Sequence, residues 1–264
     1  MKKVIDRQIH ANELKLRLLL TNYCNLNCPF CLNDFQEKGS TFLDTSIAEM
    51  AIAEYCNAFQ GVYPLQVYYS GGEPSQHPNL SYLMKIASSL GCYVTLNTNG
   101  RFSNKIEDEL TKYANQVHFG TYKKSIEHAL RIKRMKGTLQ CIFSTRYPYV
   151  NEQFIDFYAK YDIPIKIFRD FFEDGYDRYE QMAEDLVKRF PEIQLSFRHT
   201  GIQENRGPGC DNCQKTCITL KAAWIFPNGG TSPCPQAQGS KIQYPNSSED
   251  WQSYFQSVRG FHTI

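Results

Sequence analysis

The stretch TNYCNLNCPFC, residues 21–31, places Cys24, Cys28 and Cys31 in one short loop, and the next cysteine is Cys56. A tetrahedral zinc ion or an ordinary four-iron cluster takes four protein ligands. Three cysteines therefore indicate either an incomplete metal site or a site with one coordination position left open, which is typical of catalytic metals. The bland alternative is a zinc ion completed by a distant ligand.

Around this loop, β-prone runs alternate with helical stretches through two thirds of the chain. The predicted strands span residues 15–22, 64–71, 92–99, 115–122, 138–145 and 163–170, with helices over 46–59, 80–90, 105–114 and 125–136. This alternation predicts parallel strands joined by right-handed crossovers. Six such units are fewer than a closed eight-fold barrel contains. We therefore expect an α/β fold with a partial (β/α)6 barrel over residues 1–192.

The pattern changes at residue 193 to a segment rich in Gly, Pro and Cys. Its cysteines, Cys210, Cys213, Cys217 and Cys234, have spacings typical of metal ligands. The turn residues 227–230 between two β-prone arms predict a hairpin. We expect a small cysteine-rich module over residues 193–264, and both a zinc ribbon and an iron-sulfur module fit its spacing.

Composition excludes several classes of partner. The 264 residues carry 29 Lys and Arg against 27 Asp and Glu, so no charge excess indicates nucleic acid or an anionic membrane. No apolar run has the length of a transmembrane helix, and the N-terminus does not resemble a secretory signal. Ten cysteines in such a chain favour metal ligands in a reducing, cytoplasmic compartment over disulfides.

Three motifs in this order resemble those of the radical S-adenosylmethionine (SAM) superfamily. The cysteine loop matches its CxxxCxφC motif, with Phe30 as the aromatic residue. The predicted second strand ends in Gly71-Gly72-Glu73-Pro74, which is similar to the GGEP motif, and the third ends in LNTNG, residues 96–100, which is similar to the TNG element. The resemblance spans about residues 15–170, and each motif follows a successive strand.

The resemblance implies that Cys24, Cys28 and Cys31 ligate a 4Fe-4S cluster whose open iron binds SAM. Reductive cleavage of SAM then yields a 5′-deoxyadenosyl radical, with an electron supplied by a donor such as flavodoxin or ferredoxin. Gly71 and Gly72 would let the backbone approach the methionine moiety, since a Cβ there would intrude. Glu73 would accept a hydrogen bond from the methionine amino group, and Phe30 would pack near the adenine.

Four further residues are candidate SAM contacts. Asn97 and Asn99 share one face of the third strand and can bind the ribose or carboxylate, or else they form a turn pair before Gly100. His118 is a candidate ribose contact or else a structural histidine. Arg146 is a candidate partner of the SAM carboxylate or else a solvated side chain. The basic run over residues 122–137 is expected to form the solvated face of a helix.

The C-terminal cysteines resemble the opening of the SPASM and twitch modules that bind auxiliary clusters behind radical SAM enzymes. The later cysteines of SPASM are missing after Cys234, so the module is expected to be twitch-like and to hold one further 4Fe-4S cluster. The zinc ribbon stays open as the alternative.

The resulting functional expectation is a radical SAM oxidoreductase or epimerase that takes a hydrogen atom from a small polar metabolite, such as a sugar or aminocyclitol. A small substrate is favoured because no N-terminal extension large enough to recognise a leader peptide is seen. The alternatives are a maturase of ribosomally made peptides and a non-enzymatic iron-sulfur or zinc-binding interaction protein. Cys141 is predicted to donate a hydrogen atom to the substrate radical if it points into the barrel, and to be a small buried hydrophobe if it faces a helix.

Overall fold

A computed structural model describes residues 15–31, 40–59, 65–170, 176–191, 195–198, 222–232 and 243–260. The strands are β1 (Lys15–Leu19), β2 (Gln66–Ser70), β3 (Tyr93–Thr98), β4 (Gln116–Gly120), β5 (Thr138–Phe143), β6 (Ile165–Arg169), β7 (Leu195–Arg198), β8 (Ala222–Ile225) and β9 (Thr231–Ser232). The helices are α1 (Thr45–Ala58), α2 (Leu80–Ser89), α3 (Asn104–Tyr113), α4 (Ile126–Arg134), α5 (Glu152–Ala159), α6 (Tyr176–Arg189) and α7 (Ser248–Gly260).

The strands form one sheet in the order β7-β6-β5-β4-β3-β2-β1-β8-β9. Every pairing from β7 to β8 is parallel, and only β8 with β9 is antiparallel. Helices connect the first six strands in the alternation that the sequence predicts. The α/β fold with an open, mostly parallel sheet is therefore confirmed.

The two faces of the sheet have different side chains because successive strand residues point to opposite sides. One face carries Leu16, Val67, Leu96 and Phe119, which are buried against the helices in the main core. The opposite face lies inside the curved sheet and carries Arg17, whose guanidinium stacks over the rings of Tyr68 and Trp224 at 4.6 and 4.9 Å. Polar side chains therefore lie on the inner face of the sheet, while the apolar core lies between the sheet and the helices.

Residues after position 193 add strands to both edges of this sheet. β7 pairs with β6, and β8 pairs with β1. The predicted hairpin is present, because Trp224 faces Ser232 across β8 and β9 and Gly229 has φ +83° in the turn. Helix α7, which the sequence did not predict, buries Trp251 and Phe255 against α1, where the Phe255 and Tyr55 rings lie 5.6 Å apart.

In the part of the chain that the structure describes, none of the helices combines the length and the apolar character needed to cross a membrane.

Candidate active site at the carboxyl edge of the sheet

The cysteine loop follows β1 and is tied to the turn after β2 by main-chain hydrogen bonds. The Gly72 amide donates to the Thr21 carbonyl at 2.6 Å, and the Glu73 amide donates to the Tyr23 carbonyl at 2.8 Å. The buried Thr21 hydroxyl also donates to the Thr41 carbonyl at 2.8 Å. The residue directly before Cys24 is therefore fixed to the second strand's turn, which sets where the loop begins.

Gly71 and Gly72 are required for this close approach. A Cβ on Gly71 would lie 2.5 Å from the backbone carbonyl oxygen of Thr21. A Cβ on Gly72 would lie 2.0 Å from the backbone carbonyl oxygen of Tyr23. Gly71 also has φ +118°, a conformation that side chains disfavour. These glycines leave room for the backbone at the start of the cysteine loop. The sequence analysis had explained them by an approach to the methionine moiety.

Glu73 is buried, at 1 % exposure, and its carboxylate joins the second and third strands. Oε1 accepts from the Thr98 hydroxyl at 2.6 Å and from the Ser75 backbone N–H at 3.0 Å. Oε2 accepts from the Asn99 backbone N–H at 2.7 Å. Burial raises the pKa of Glu73, and these hydrogen bonds oppose the rise. The carboxylate thus holds the TNG turn beside the cysteine loop, a contact that the sequence analysis did not foresee.

The three cysteines lie together on this loop, and Asn99, the first residue after β3, lies beside them. Its side-chain amide lies 3.8 Å from the Cys24 sulfur and 2.7 Å from the Asn25 oxygen. Among the described residues, no three His, Cys, Asp or Glu side chains converge as the ligands of a single metal ion do. Cysteines that each bind a different iron of a cluster need not converge in that way.

Burial and the neighbouring Cys31 and Cys24 sulfurs raise the pKa of Cys28 to about 11, and Arg101 and Lys123 partly oppose this. Cluster irons would favour the thiolate form, so binding would release protons. The donor set, three adjacent thiols with an amide N–H directed at one sulfur, fits an iron-sulfur cluster with one iron left unligated by the protein.

A cavity of about 820 Å³ opens beside the cysteine loop, between the ends of β3 and β4. Its lining includes Asn99, the cations Arg101, Lys123 and Lys124, and the acid Glu127. The edge of the cysteine loop therefore carries a positive charge excess that the overall charge balance of the chain does not reveal.

Asn97 and His118 lie side by side inside the sheet. They are paired in the β3–β4 register, and His118 Nδ1 lies 2.9 Å from Asn97 Oδ1. Their strand neighbours Leu96 and Phe119 face the core under the helices. Asn97 and His118 thus share the interior face, whereas Asn99 lies past the strand end at the cysteine loop.

Phe30 contacts aromatic residues that follow β4 and β5. Its ring lies 5.4 Å from Tyr122 and 6.5 Å from Tyr147, and Tyr149 stacks with Tyr147 at 6.4 Å. We refer to Phe30, Tyr122, Tyr147 and Tyr149 as the aromatic cluster. Of these four, only Phe30 was identified from sequence, although Tyr122 ends a predicted strand and Tyr147 and Tyr149 follow one.

Arg146 lies beyond β5 and pairs with Asp170, which follows β6. The guanidinium lies 3.1 Å from the buried Asp170 carboxylate, while the Arg146 side chain is 45 % exposed. Arg146 is therefore held by a buried acid and is more than a solvated side chain. Its guanidinium also lies over the Tyr147 ring, 5.4 Å from the ring centre.

Cys141 does not join these residues. It is 2 % exposed in the core, shares its face with Leu139 and Ile167, and lies near Tyr158 of α5. Gln140 and Ile142 alternate with it and take the opposite face. The predicted hydrogen-atom donation requires Cys141 to point inward, so its position corrects that prediction in favour of the packing alternative.

Two other sequence expectations have different outcomes. The basic run over residues 122–137 is not wholly solvated, because Arg131 is buried at 8 % exposure and binds Glu107. The C-terminal cysteines Cys210, Cys213, Cys217 and Cys234 lie outside the described residues, so the auxiliary site stays a prediction.

Comparison with known proteins agrees with this arrangement. Residues 18–122 match the model of the Radical SAM superfamily. The PqqA peptide cyclase of Gluconobacter oxydans (strain 621H) is 38 % identical over 82 residues, which are 31 % of this chain and 22 % of that protein. The PqqA peptide cyclase of Rhodopseudomonas palustris is 37 % identical over 87 residues, 33 % of this chain and 22 % of that protein. The match thus spans less than a quarter of the length of these relatives.

Solved structures show the same fold. SuiB of Streptococcus suis bound to S-adenosylmethionine superimposes with a TM-score of 0.71 at 17 % identity, covering 92 % of this chain and 66 % of SuiB. Native anSMEcpe with bound AdoMet superimposes with a TM-score of 0.66 at 14 % identity, covering 94 % of this chain and 82 % of that one. At such identities the likeness concerns the fold alone.

The expected small polar substrate, a sugar or aminocyclitol, is wrong. The curated relatives are named peptide cyclases, and SuiB has also been solved with its precursor peptide SuiA. The names also describe a cyclisation, a ring-forming reaction that the expected oxidation or epimerisation of a small metabolite does not include. The expectation depended on chain length before β1, which carries no information about what the open edge of the sheet binds.

The family match includes the cysteine loop, the GGEP turn and the TNG turn, which the structure brings together at one edge of the sheet. The family implies a 4Fe-4S cluster and SAM as cofactors, which agrees with the donor set of the loop. Residues 18–122 of this chain therefore form a domain of the radical SAM superfamily.

Proposed function

We propose that this chain modifies a ribosomally made peptide by radical SAM chemistry and forms a new covalent bond within that peptide. The observation that carries the proposal is the identity of 38 % over 82 residues to a peptide cyclase. The fold shared with SuiB supports it at the level of architecture.

In this proposal Cys24, Cys28 and Cys31 hold the SAM-binding cluster, and Asn99 directs its amide toward the Cys24 sulfur. Glu73 positions Asn99 and Thr98 through its carboxylate. Glu73 acts through these residues on the position of the cysteine loop. Its loss is expected to lower the amount of cluster that the protein retains more than the rate of the reaction.

SAM would lie against the interior face beside the cysteine loop. The backbone at Gly71 and Gly72 would border its methionine part, and Asn97 with His118 would face its ribose. Phe30 would pack near the adenine, and the exposed part of Arg146 would face a carboxylate. The pair between Arg146 and Asp170 restricts the guanidinium, which makes it suited to a fixed contact.

The aromatic cluster is the proposed contact surface for the peptide. Tyr149 is 45 % exposed, and the cluster lies where the loops after β4 and β5 open beside Phe30. Aromatic side chains provide large contact areas at low entropic cost, as peptide-binding surfaces require.

When bound, the cofactors would supply a 5′-deoxyadenosyl radical to take one hydrogen atom from the peptide, and an acceptor for one electron. The second atom that joins the new bond loses its hydrogen as a proton. The product therefore lacks two hydrogen atoms relative to the substrate. We propose that Cys210, Cys213, Cys217 and Cys234 hold a second 4Fe-4S cluster as that acceptor, in a twitch-like module over residues 193–264.

The electron that starts the reaction would come from flavodoxin or ferredoxin. Arg101, Lys123 and Lys124 present positive charge next to the cysteine loop, which suits a donor with an acidic surface. Charge complementarity of this kind speeds association and weakens with salt. Replacing Lys123 and Lys124 by Ala is expected to slow reduction by flavodoxin while leaving reduction by dithionite unchanged.

The test is an anaerobic assay of the reconstituted protein with SAM, dithionite and a peptide encoded by a short reading frame beside its gene. We expect 5′-deoxyadenosine and a peptide lighter by two hydrogen atoms. The variant with Cys24, Cys28 and Cys31 replaced by Ala should form neither while keeping about four irons at the auxiliary site. Cleavage of SAM in that variant would refute the cluster assignment, and zinc in the protein would support a zinc ribbon.

A non-enzymatic iron-sulfur protein would bind iron in the same assay and form no 5′-deoxyadenosine above the level of the cysteine variant.

A further inference from the structure

Two cysteines that take no part in the proposed chemistry lie in contact at the opposite end of the sheet. Cys56 is in the last turn of α1, and Cys92 directly precedes β3. Their sulfur atoms are 3.4 Å apart, although 36 positions separate them in the chain. Cys92 is buried at 5 % exposure, and Cys56 is only half-buried.

The two thiols have different surroundings. The hydrogen bond from the Cys92 thiol lowers the pKa of Cys56, and burial opposes this. The same hydrogen bond, together with burial, raises the pKa of Cys92. Cys56 is therefore the thiol that ionises more readily and that solvent reaches, while Cys92 is buried next to it. This division matches an attacking and a resolving cysteine.

We propose that Cys56 and Cys92 are a modification site that oxidises to an intramolecular disulfide by exchange with a low-molecular-weight disulfide such as oxidised glutathione. The Cys56 thiolate attacks one sulfur of glutathione disulfide, whose S–S bond breaks and releases one glutathione thiolate. Cys92 loses its proton and attacks the Cys56 sulfur, which releases the second glutathione. Two protein thiols are oxidised, and one glutathione disulfide is reduced to two thiols.

The geometry permits this bond. The sulfurs need to approach from 3.4 Å to the ~2.0 Å of a disulfide. The closed loop contains β2, the GGEP turn and α2, so the bond would restrict the unfolded chain over the segment that anchors the cysteine loop. The pair lies at the amino end of the sheet, so the bond leaves the cluster cysteines untouched.

The test treats the anaerobically reconstituted holoenzyme with oxidised glutathione, alkylates the remaining thiols and maps disulfides by mass spectrometry. We expect a Cys56–Cys92 linked peptide in folded protein and a melting temperature several degrees higher than that of the reduced protein. Cys141, which is buried in the core with its sulfur 3.8 Å from the Lys166 carbonyl, is the internal control and should stay reduced.

Two variants separate the roles of the cysteines. Cys92→Ser should retain a glutathione adduct on Cys56, because no resolving thiol follows, whereas Cys56→Ser should leave Cys92 unmodified. The proposal is overturned if both thiols of the folded wild-type protein stay alkylatable at glutathione concentrations that modify an exposed thiol. It is equally overturned if the bond forms only after the protein has been unfolded in denaturant.

Discussion

At the scale of single residues, the candidate site depends on positions where a side chain is excluded. The motif could be read from sequence, and so could the need for glycine at positions 71 and 72. The identity of the neighbouring group could not, because a missing Cβ shows that something approaches closely and not what approaches. The structure shows the backbone of Thr21 and Tyr23 at these positions.

Gly72→Ala is predicted to lower iron binding. Its Cβ would lie 2.0 Å from the Tyr23 oxygen, so the start of the cysteine loop must move. The measurement is iron per chain after anaerobic reconstitution, which should fall at least several-fold.

Gly91→Ala is the matched control, since Gly91 has φ +77° but nothing lies within 4 Å of its Cβ position. This variant should lose about 1 kcal/mol of stability through strain and retain full iron binding. Equal iron contents in the two variants would show that the close approach at Gly72 does not position the loop.

His128 gives a prediction on pH. Burial, followed by Arg131 and Arg101, lowers the pKa of His128 from 6.5 to about 4. Below pH 6.5 the unfolded chain therefore binds a proton that the folded chain does not, so the stability present above that pH is lost as pH falls toward 4.

The loss in unfolding free energy attributable to this histidine is about 2 kcal/mol between roughly pH 7 and pH 5. His128→Gln should reduce the fall in stability over this range by that amount, measured by urea unfolding at both pH values. An identical pH dependence in the wild-type protein and the variant would contradict the pKa assignment.

At the scale of elements, helices α3 and α4 are joined by a buried charge network. Glu107 of α3 accepts from Arg131 at 3.0 Å and from Arg134 at 2.9 Å. Arg131 also donates to the Gly100 carbonyl at 2.6 Å, which ties α4 to the TNG turn. Charge periodicity in the sequence could not separate Arg131 from its solvated neighbours, because burial of a cation depends on a partner from another helix.

Glu107→Gln is predicted to destabilise the fold by about 2–4 kcal/mol, since it removes the buried charge partner of Arg131 and leaves only the exposed Glu127, 4.0 Å away. Asp156→Asn is the control, because Asp156 and Lys160 form an exposed pair at 3.2 Å in which both side chains are more than half exposed. That change should cost under about 0.5 kcal/mol. Chemical unfolding measures both values, and similar costs for the two variants would contradict the importance of the buried network.

At the scale of the whole molecule, the six βα units were predictable and the edges of the sheet were not. The first six strands are bounded by turn residues and alternate with helices of clear periodicity. In contrast, β7, β8 and β9 have only four, four and two residues in a segment rich in Gly, Pro and Cys. The pairing of β7 with β6 and of β8 with β1 is set by long-range contacts, so local sequence patterns carried little signal for it, whereas the β8–β9 hairpin was predicted.

Parts of the candidate site were likewise predictable from sequence, and other parts were not. The cysteine loop, GGEP turn and TNG turn were recognised because their residues are contiguous in sequence. The Thr98–Glu73 bond, the Arg146–Asp170 pair and the aromatic cluster join separate strand ends, so only the fold brings them together. The substrate class could not be read from any of these residues, and the small-metabolite expectation was wrong for that reason.

Deuterium transfer measures directly whether a peptide gives up a hydrogen atom at this site. A precursor peptide carrying deuterium on its side-chain carbons is incubated anaerobically with the reconstituted protein, SAM and dithionite, and 5′-deoxyadenosine is analysed by mass spectrometry. We expect deuterium in 5′-deoxyadenosine together with a modified peptide, and neither with the protein in which Cys24, Cys28 and Cys31 are replaced by Ala. Formation of unlabelled 5′-deoxyadenosine with an unchanged peptide would contradict this expectation.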